Sequence, residues 1–169
     1  EVVGVMIIAS DATEQVISKK QLEESQRKWK LLADTMPAIV WIGDADGDAS
    51  FFNERWYEFT GLTEAESLGS GWTKILHPDD APRCLEIWND AHAKQAFYAV
   101  EARYRNKEGD YRWVIARGVP IREGDVLTWY GTTTDIHEHK QLELHLEDMV
   151  EKRTEELAAK NILLDNILK

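Results

Sequence analysis

The chain has 169 residues, 43% of them hydrophobic, and carries 20 basic against 31 acidic side chains, a formal charge of -11 spread along its length. That supplies apolar material for one domain with its own core, while the negative charge repels a phosphate backbone or an anionic lipid surface, so nucleic acid is excluded as a partner. No apolar run approaches the roughly 20 residues that span a bilayer, which argues against direct membrane insertion, and the single cysteine, Cys84, gives no disulfide framework and fits a reducing, cytoplasmic compartment.

In chain order, the opening VGVMIIASDATE (Val3 to Glu14) is apolar and β-branched before it turns polar, and it reads as a buried strand. It begins without an initiator Met or a basic leader, as a segment of a longer array would. Thr13 to Met36 holds no Gly or Pro and sets Leu22, Trp29, Leu32 and Met36 at helical spacing, with Ser25 between them. This predicts a connecting helix over 13–36, capped by Asp11 or Thr13 and ended by Pro37. AIVWIGDADGDASFFN then reads as strand, Asp-Gly turn and strand. NERWYEFTG, TEAESLG and SGWTKILH are short helical pieces, followed by a longer helix near Asp80 to Lys94. FYAVEARYR, YRWVIARGVPI and VLTWYGTTTDI form a meander whose turns place Gly beside acidic residues, where positive φ is cheap. The order is β-β, helices, β-β-β, and the domain it builds covers 37–136.

From Ile136 to Lys169 there is no Gly or Pro, which predicts one C-terminal helix over 137–169, about 50 Å long at 1.5 Å per residue. Its apolar positions run Leu142, Leu146, Met149 and then shift phase to Val150, Leu157 and Leu164, with Thr154 and Asn161 at the alternate seam positions. A stutter followed by a heptad seam points to a parallel two-stranded coiled coil, in which a polar seam residue fixes register. The dimer helix is therefore assigned to Leu146, Val150, Leu157, Asn161 and Leu164, giving a homodimer through terminal helices; the alternative is a helix folded back on its own domain.

Two strand-to-helix junctions align: IIASDATEQVISKKQLEES with GTTTDIHEHKQLELHLEDM pairs Asp11 with Asp135, Glu14 with Glu138, Leu22 with Leu146 and Glu23 with Glu147, all at one offset of 124 residues. Such a period makes residues 1–12 the terminal strand of a preceding module. The stretch from Lys30 to His139 resembles the PAS sensory domains of bacterial multidomain sensors, through the DADG turn, FFNERWYEFTGLTEAE with Asn53, Trp56 and Gly61, ILHPDD, EARYRNKEGDYRW and GTTTDIHEHK. The resemblance implies an α+β fold, with a five-stranded antiparallel sheet whose helices lie on one face around a small pocket, flanked by long terminal helices. It also implies that signal leaves through a junction at Asp135, Ile136 and Glu138; His137 stands where such junctions usually carry Thr. Adjacent PAS and output domains of a parent chain, a histidine kinase or a diguanylate cyclase, are the implied partners.

Asp44, Asp46 and Asp48 do not form a calcium loop, because Ala49 and Arg55 occupy the positions that need Gly and Glu. His137 and His139 point about 160° apart on a helix and cannot share a metal with His145, so no metal site is assigned. No nucleophile constellation and no glycine-rich nucleotide segment is present, so the chain is not read as an enzyme; a small oxidoreductase would rest on aromatic content alone. Arg103, Arg105 and Arg117 are expected to pair with Glu101 and Asp135. By the resemblance, a flavin-reactive Cys would fall in SGWTKIL, which has none, and haem would need His92, which lies late in its helix; FAD stays open because ILHPDD followed by Trp88 is similar to redox-sensing aerotaxis receptors. The cofactor is thus either none or FAD, with haem disfavoured. The aromatic residues divide between core and pocket, and the pocket candidates are Trp41, Phe52, Asn53, Trp56, Leu85, Trp88, Trp113 and Trp129. The functional expectation is a sensory module for a small ligand or redox state, or for dimerisation; its alternative is a ligand-free structural spacer.

Overall fold

The computed structural model describes the backbone of residues 2–167 and the side chains of residues 15–162. A long helix, α1 (Val2–Thr35), leads into the hairpin β1 (Ile39–Gly43) and β2 (Ala49–Phe52). Two short helices, α2 (Glu54–Thr60) and α3 (Glu64–Ser67), a 3-10 turn (Gly71–Ile75) and α4 (Ala81–Lys94) follow. The meander β3 (Tyr98–Arg105), β4 (Tyr111–Glu123) and β5 (Val126–Asp135) then runs into α5 (His137–Ile167). The five strands form one antiparallel sheet in the order β2-β1-β5-β4-β3, so the last strand lies at the centre beside the first.

The opening segment corrects the sequence reading. Residues 1–12 were expected as a strand, but from Val2 onward the chain is helical and continuous with the connecting helix, so Asp11 and Thr13 lie within α1 rather than capping it. An apolar β-branched run does not by itself separate a strand from a helix. The sheet is complete without this segment, and a helix satisfies its own backbone hydrogen bonds where a lone strand cannot.

Alternation along the strands sorts the residues. Tyr98, Val100, Ala102 and Tyr104 of β3 and Val114 and Ala116 of β4 point inward and are buried. Cys84, Trp88 and Ala91, spaced as one helical face, bury α4 against them. Trp56, Trp129, Ile75 and Val114 are the largest of the fully buried apolar side chains.

Asn53 ties the entry helix to this frame: its Oδ1 accepts the Val40 N–H (2.9 Å), and its Nδ2 donates to the carbonyls of Ala33 (2.7 Å) and Ala38 (3.0 Å). The Asp34 carboxylate receives the Glu54 N–H at the start of α2 (2.9 Å), and Trp29 packs on Phe51 with ring centroids 4.8 Å apart. Among the described residues no helix is long and apolar enough to cross a membrane.

Candidate functional site: an aromatic cavity and a strand-to-helix junction

Strand register places Trp41, Gly131, Gly118 and Tyr98 in one row across β1, β5, β4 and β3. The Trp41 indole lies over the two glycines, and a Cβ on either would run into its ring. Trp88 descends from α4 into this row. It meets Trp41, Trp72 and Tyr98 edge-on, at 5.9, 6.2 and 5.0 Å, and leans on Trp129 at 4.9 Å. Beneath them Phe52 stacks on Trp56 at 4.1 Å, and the Trp56 indole N–H donates to Ser67 Oγ (2.8 Å).

These rings line a partly open cavity of about 40 Å³, bounded by Trp41, Phe52, Trp56, Trp72, Trp88, Tyr98, Tyr104, Thr133 and small residues, with no charged side chain in its wall. Burial pushes the Tyr98 and Tyr104 phenols well above the ordinary tyrosine value, so both stay neutral and can only give or take hydrogen bonds. Cys84 is fully buried and its thiol is pushed up by the same desolvation, which leaves it protonated and a poor nucleophile.

The β1–β2 turn closes one side. Asp44 turns a carboxylate oxygen onto the Asp46 and Asp48 N–H groups (3.0 Å each), and Gly47 bounds the cavity with φ at 87°. His92 Nε2 donates to the Ala45 carbonyl at 2.9 Å while its ring stacks on Trp129 at 5.9 Å, holding the turn against α4. Among the described residues the buried Trp129 indole N–H has no hydrogen-bond partner.

Of the residues expected at the pocket, Trp41, Phe52, Trp56 and Trp88 bound the cavity, and Trp129 stands behind Trp88. Asn53 is committed to backbone groups, Leu85 is half-buried on α4 away from the wall, and Trp113 faces the other side of the sheet. Trp72, Tyr98, Tyr104 and Thr133 were missed. The alternation in YAVEARY marks both tyrosines as inward, whereas Trp72 lies on a 3-10 turn whose few residues carry no usable period.

A drug-sized or cofactor pocket runs to about 300–1,000 Å³. Neither a flavin ring system nor a haem fits 40 Å³ with the indoles where they stand, and the His92 ring is already engaged on both its edge and its face.

The second feature is the end of β5. Asp135 Oδ2 pairs with Arg112 Nε, at 2.6 Å, and Oδ1 accepts the His137 N–H at 2.8 Å, which caps the start of α5. The Ile136 N–H donates to the Trp113 carbonyl (2.9 Å), and the Trp113 N–H donates back to His137 Nδ1 (3.3 Å). Lys140 Nζ reaches Glu101 on β3 at 2.9 Å and Glu143 at 3.0 Å, and these carboxylates raise its pKa, Glu101 more than Glu143. Neither carboxylate therefore pairs with Arg103, Arg105 or Arg117 as expected: Asp135 takes Arg112, Glu101 takes Lys140, and Arg103 takes Asp80. Two of these partners stand on helices, Asp80 at the start of α4 and Lys140 in the first turn of α5, and sequence spacing does not show where those helices meet the strands. Glu138 is exposed, one residue past His137. Beyond this first turn, Leu146, Val150, Leu157 and Asn161 are exposed, while the side chain of Leu164 lies outside the described residues.

The PAS fold family matches residues 49–133, half of the chain. An uncharacterized protein of Sinorhizobium fredii, y4lL, is 33% identical over 140 residues, which is 82% of this chain and 17% of that protein. The peroxide stress-activated histidine kinase mak1 of Schizosaccharomyces pombe is 27% identical over 157 residues, covering 82% of this chain and 10% of the kinase. The chain spans less than a fifth of the length of these curated relatives. A sensory box histidine kinase/response regulator from Burkholderia thailandensis superposes with a TM-score of 0.58 at 22% identity, covering 75% of this chain and 98% of that one. The N-terminal domain of a diguanylate cyclase with PAS/PAC sensor from Marinobacter aquaeolei gives 0.56 at 17% identity, over 61% and 98% of the two chains.

Proposed function

The chain belongs to the PAS fold family, and from that premise we propose that it is a sensory relay module that reads a small uncharged molecule and passes the signal through α5 to an output domain of a longer protein. The observation that carries this reading is the continuity of β5. Thr133 forms part of the cavity wall, and two residues later Asp135 holds Arg112 and caps α5. A change in how the indoles seat against β5 reaches the helix without crossing any flexible segment. The mechanism is a population shift, in which a molecule that fits one arrangement of the cavity better rebiases the junction.

The walls select the ligand class. They carry no charge to pair with an anion or a cation, and about 40 Å³ admits only a few heavy atoms without moving Trp72 or Trp88. The output domain is a kinase, as in mak1, or a cyclase, and the setting is cytoplasmic. The working form is a parallel homodimer through the terminal helices, with the α5 seam Leu146, Val150, Leu157, Asn161 and Leu164 at its centre.

A second reading is favoured by the same volume: the aromatic side chains so nearly fill the cavity that the module could serve as a structural dimerisation spacer. Xenon separates the two. Under xenon pressure the sensor reading predicts saturable amide shifts at Thr133 and Ala116 and a higher melting temperature, both abolished in Ala116→Val, which fills the cavity. A wild-type chain that shows neither response is a spacer.

A further inference from the structure

Asp80, Arg103 and Trp113 lie outside the cavity, yet they join the helix that carries Trp88 to the helix that carries the signal. Asp80 stands at the N-terminal end of α4 and is 7% exposed. Arg103 gives this one carboxylate three hydrogen bonds. Its backbone N–H and Nε reach Oδ2 at 2.9 Å each, and Nη2 reaches Oδ1 at 2.8 Å. The loop is also tied by its backbone, since the His77 N–H donates to the Arg103 carbonyl at 2.9 Å.

The fork holds the guanidinium over the neighbouring strand, where its Cζ lies 5.4 Å from the centroid of the Trp113 ring. Trp113 is the register partner of Arg103, and its backbone takes the Ile136 N–H and donates to His137 Nδ1. Three successive contacts thus run around the sheet edge from the start of α4 to the first turn of α5. A second seat is within reach. Arg103 Nη2 lies 3.7 Å from Asp79 Oδ2, and that carboxylate is exposed where Asp80 is buried. The arginine therefore has two carboxylates between which it can shift, one fixed to α4 and one in solvent.

We propose that Arg103 is a coupling residue: seated on Asp80 and stacked on Trp113, it sets the first turn of α5 according to the position of α4, by a path separate from β5. A lysine would keep the charge but lose both the planar fork and the stack. The proposal gives the module of the preceding section a regulatory route, but it stands on contacts present without any ligand.

The test is amide hydrogen exchange on the whole chain for wild type, Arg103→Lys and Asp80→Asn. The expected result is exchange at Ile136 and Lys140 faster by about fivefold or more in both variants, with the Gly61 amide, bonded to Tyr57 in α2, changed less than twofold. The double variant should add nothing further at Ile136, because both substitutions release the same contact. If only the Arg103 amide speeds up, or if Gly61 rises in step with Ile136, the relay is wrong and the cluster merely anchors the loop. Should Asp80→Asn fail to fold, Arg103→Lys carries the same comparison alone. No ligand enters the experiment, so the relay can fail while the xenon response stands, and the reverse.

Discussion

Gly131 and Gly118 lie side by side under the Trp41 indole, and in both the missing Cβ is what lets a large ring cross two strands at van der Waals distance. Gly131→Ala should therefore destabilise the fold by about 1–3 kcal/mol through overpacking, measured by urea unfolding, and should move the near-ultraviolet signal of the displaced tryptophan. Asp80 is the one charged side chain that is buried among the described residues. The side-chain hydrogen bonds from Arg103, ahead of every other cause and against the opposing effect of burial, hold its carboxyl below the ordinary value of 3.8. A lowered folded-state pKa contributes stability that is present above the unfolded value and lost as pH falls through the folded one. Wild type should thus exceed Asp80→Asn by about 1.5–3 kcal/mol near pH 7, with the difference unchanged down to about pH 5 and collapsing below about pH 4. Such roles were only partly legible. That Asn53 and Trp56 mattered was clear from their motif, but a buried amide serves a ligand or a backbone equally well on paper, and only its three backbone partners assign Asn53 to structure. Trp113 was placed in the pocket because it is a strand tryptophan; its parity on β4, next to inward Val114, turns it to the other face.

At the scale of elements, α4 and the junction decide what the fold can do. Trp88 packs against the Trp41, Trp72, Tyr98, Trp129 and His92 rings and is 9% exposed, so Trp88→Ala should cost about 3–5 kcal/mol and merge the cavity with the space it leaves. His137 stands at the start of α5, and its Nδ1 accepts the Trp113 N–H. His137→Ala should speed exchange of the Trp113 amide several-fold while leaving the Tyr104 amide, deep in β3, unchanged. The strands and turns from β1 to β5 were readable because alternation and Asp-Gly or Glu-Gly turns are local signals. The opening segment was not, since strand and helix compete for the same apolar β-branched residues and the outcome depends on whether a sheet edge receives them. The order β2-β1-β5-β4-β3 is likewise a non-local property: the family resemblance implies five antiparallel strands but not which of them lie side by side.

For the molecule as a whole, two helices of 34 and 31 residues flank a small domain, and most of their described apolar positions lie exposed. Isolated helices gain most of their stability from packing an apolar face, and the proposed homodimer would cover the exposed Leu146, Val150 and Leu157 of α5. Sedimentation should show a dimer that dissociates in the Val150→Asp, Leu157→Asp double variant, with the near-ultraviolet spectrum of the domain unchanged; a monomeric wild type would remove the dimer from the account. The central claim is that the cavity and α5 communicate through β5. Its most direct test is the amide resonance and exchange rate of Ile136 as xenon fills the cavity. The account predicts a saturable shift at Ile136 with exchange altered by about fivefold, absent in Ala116→Val. Xenon bound at Thr133 with Ile136 unmoved would contradict it.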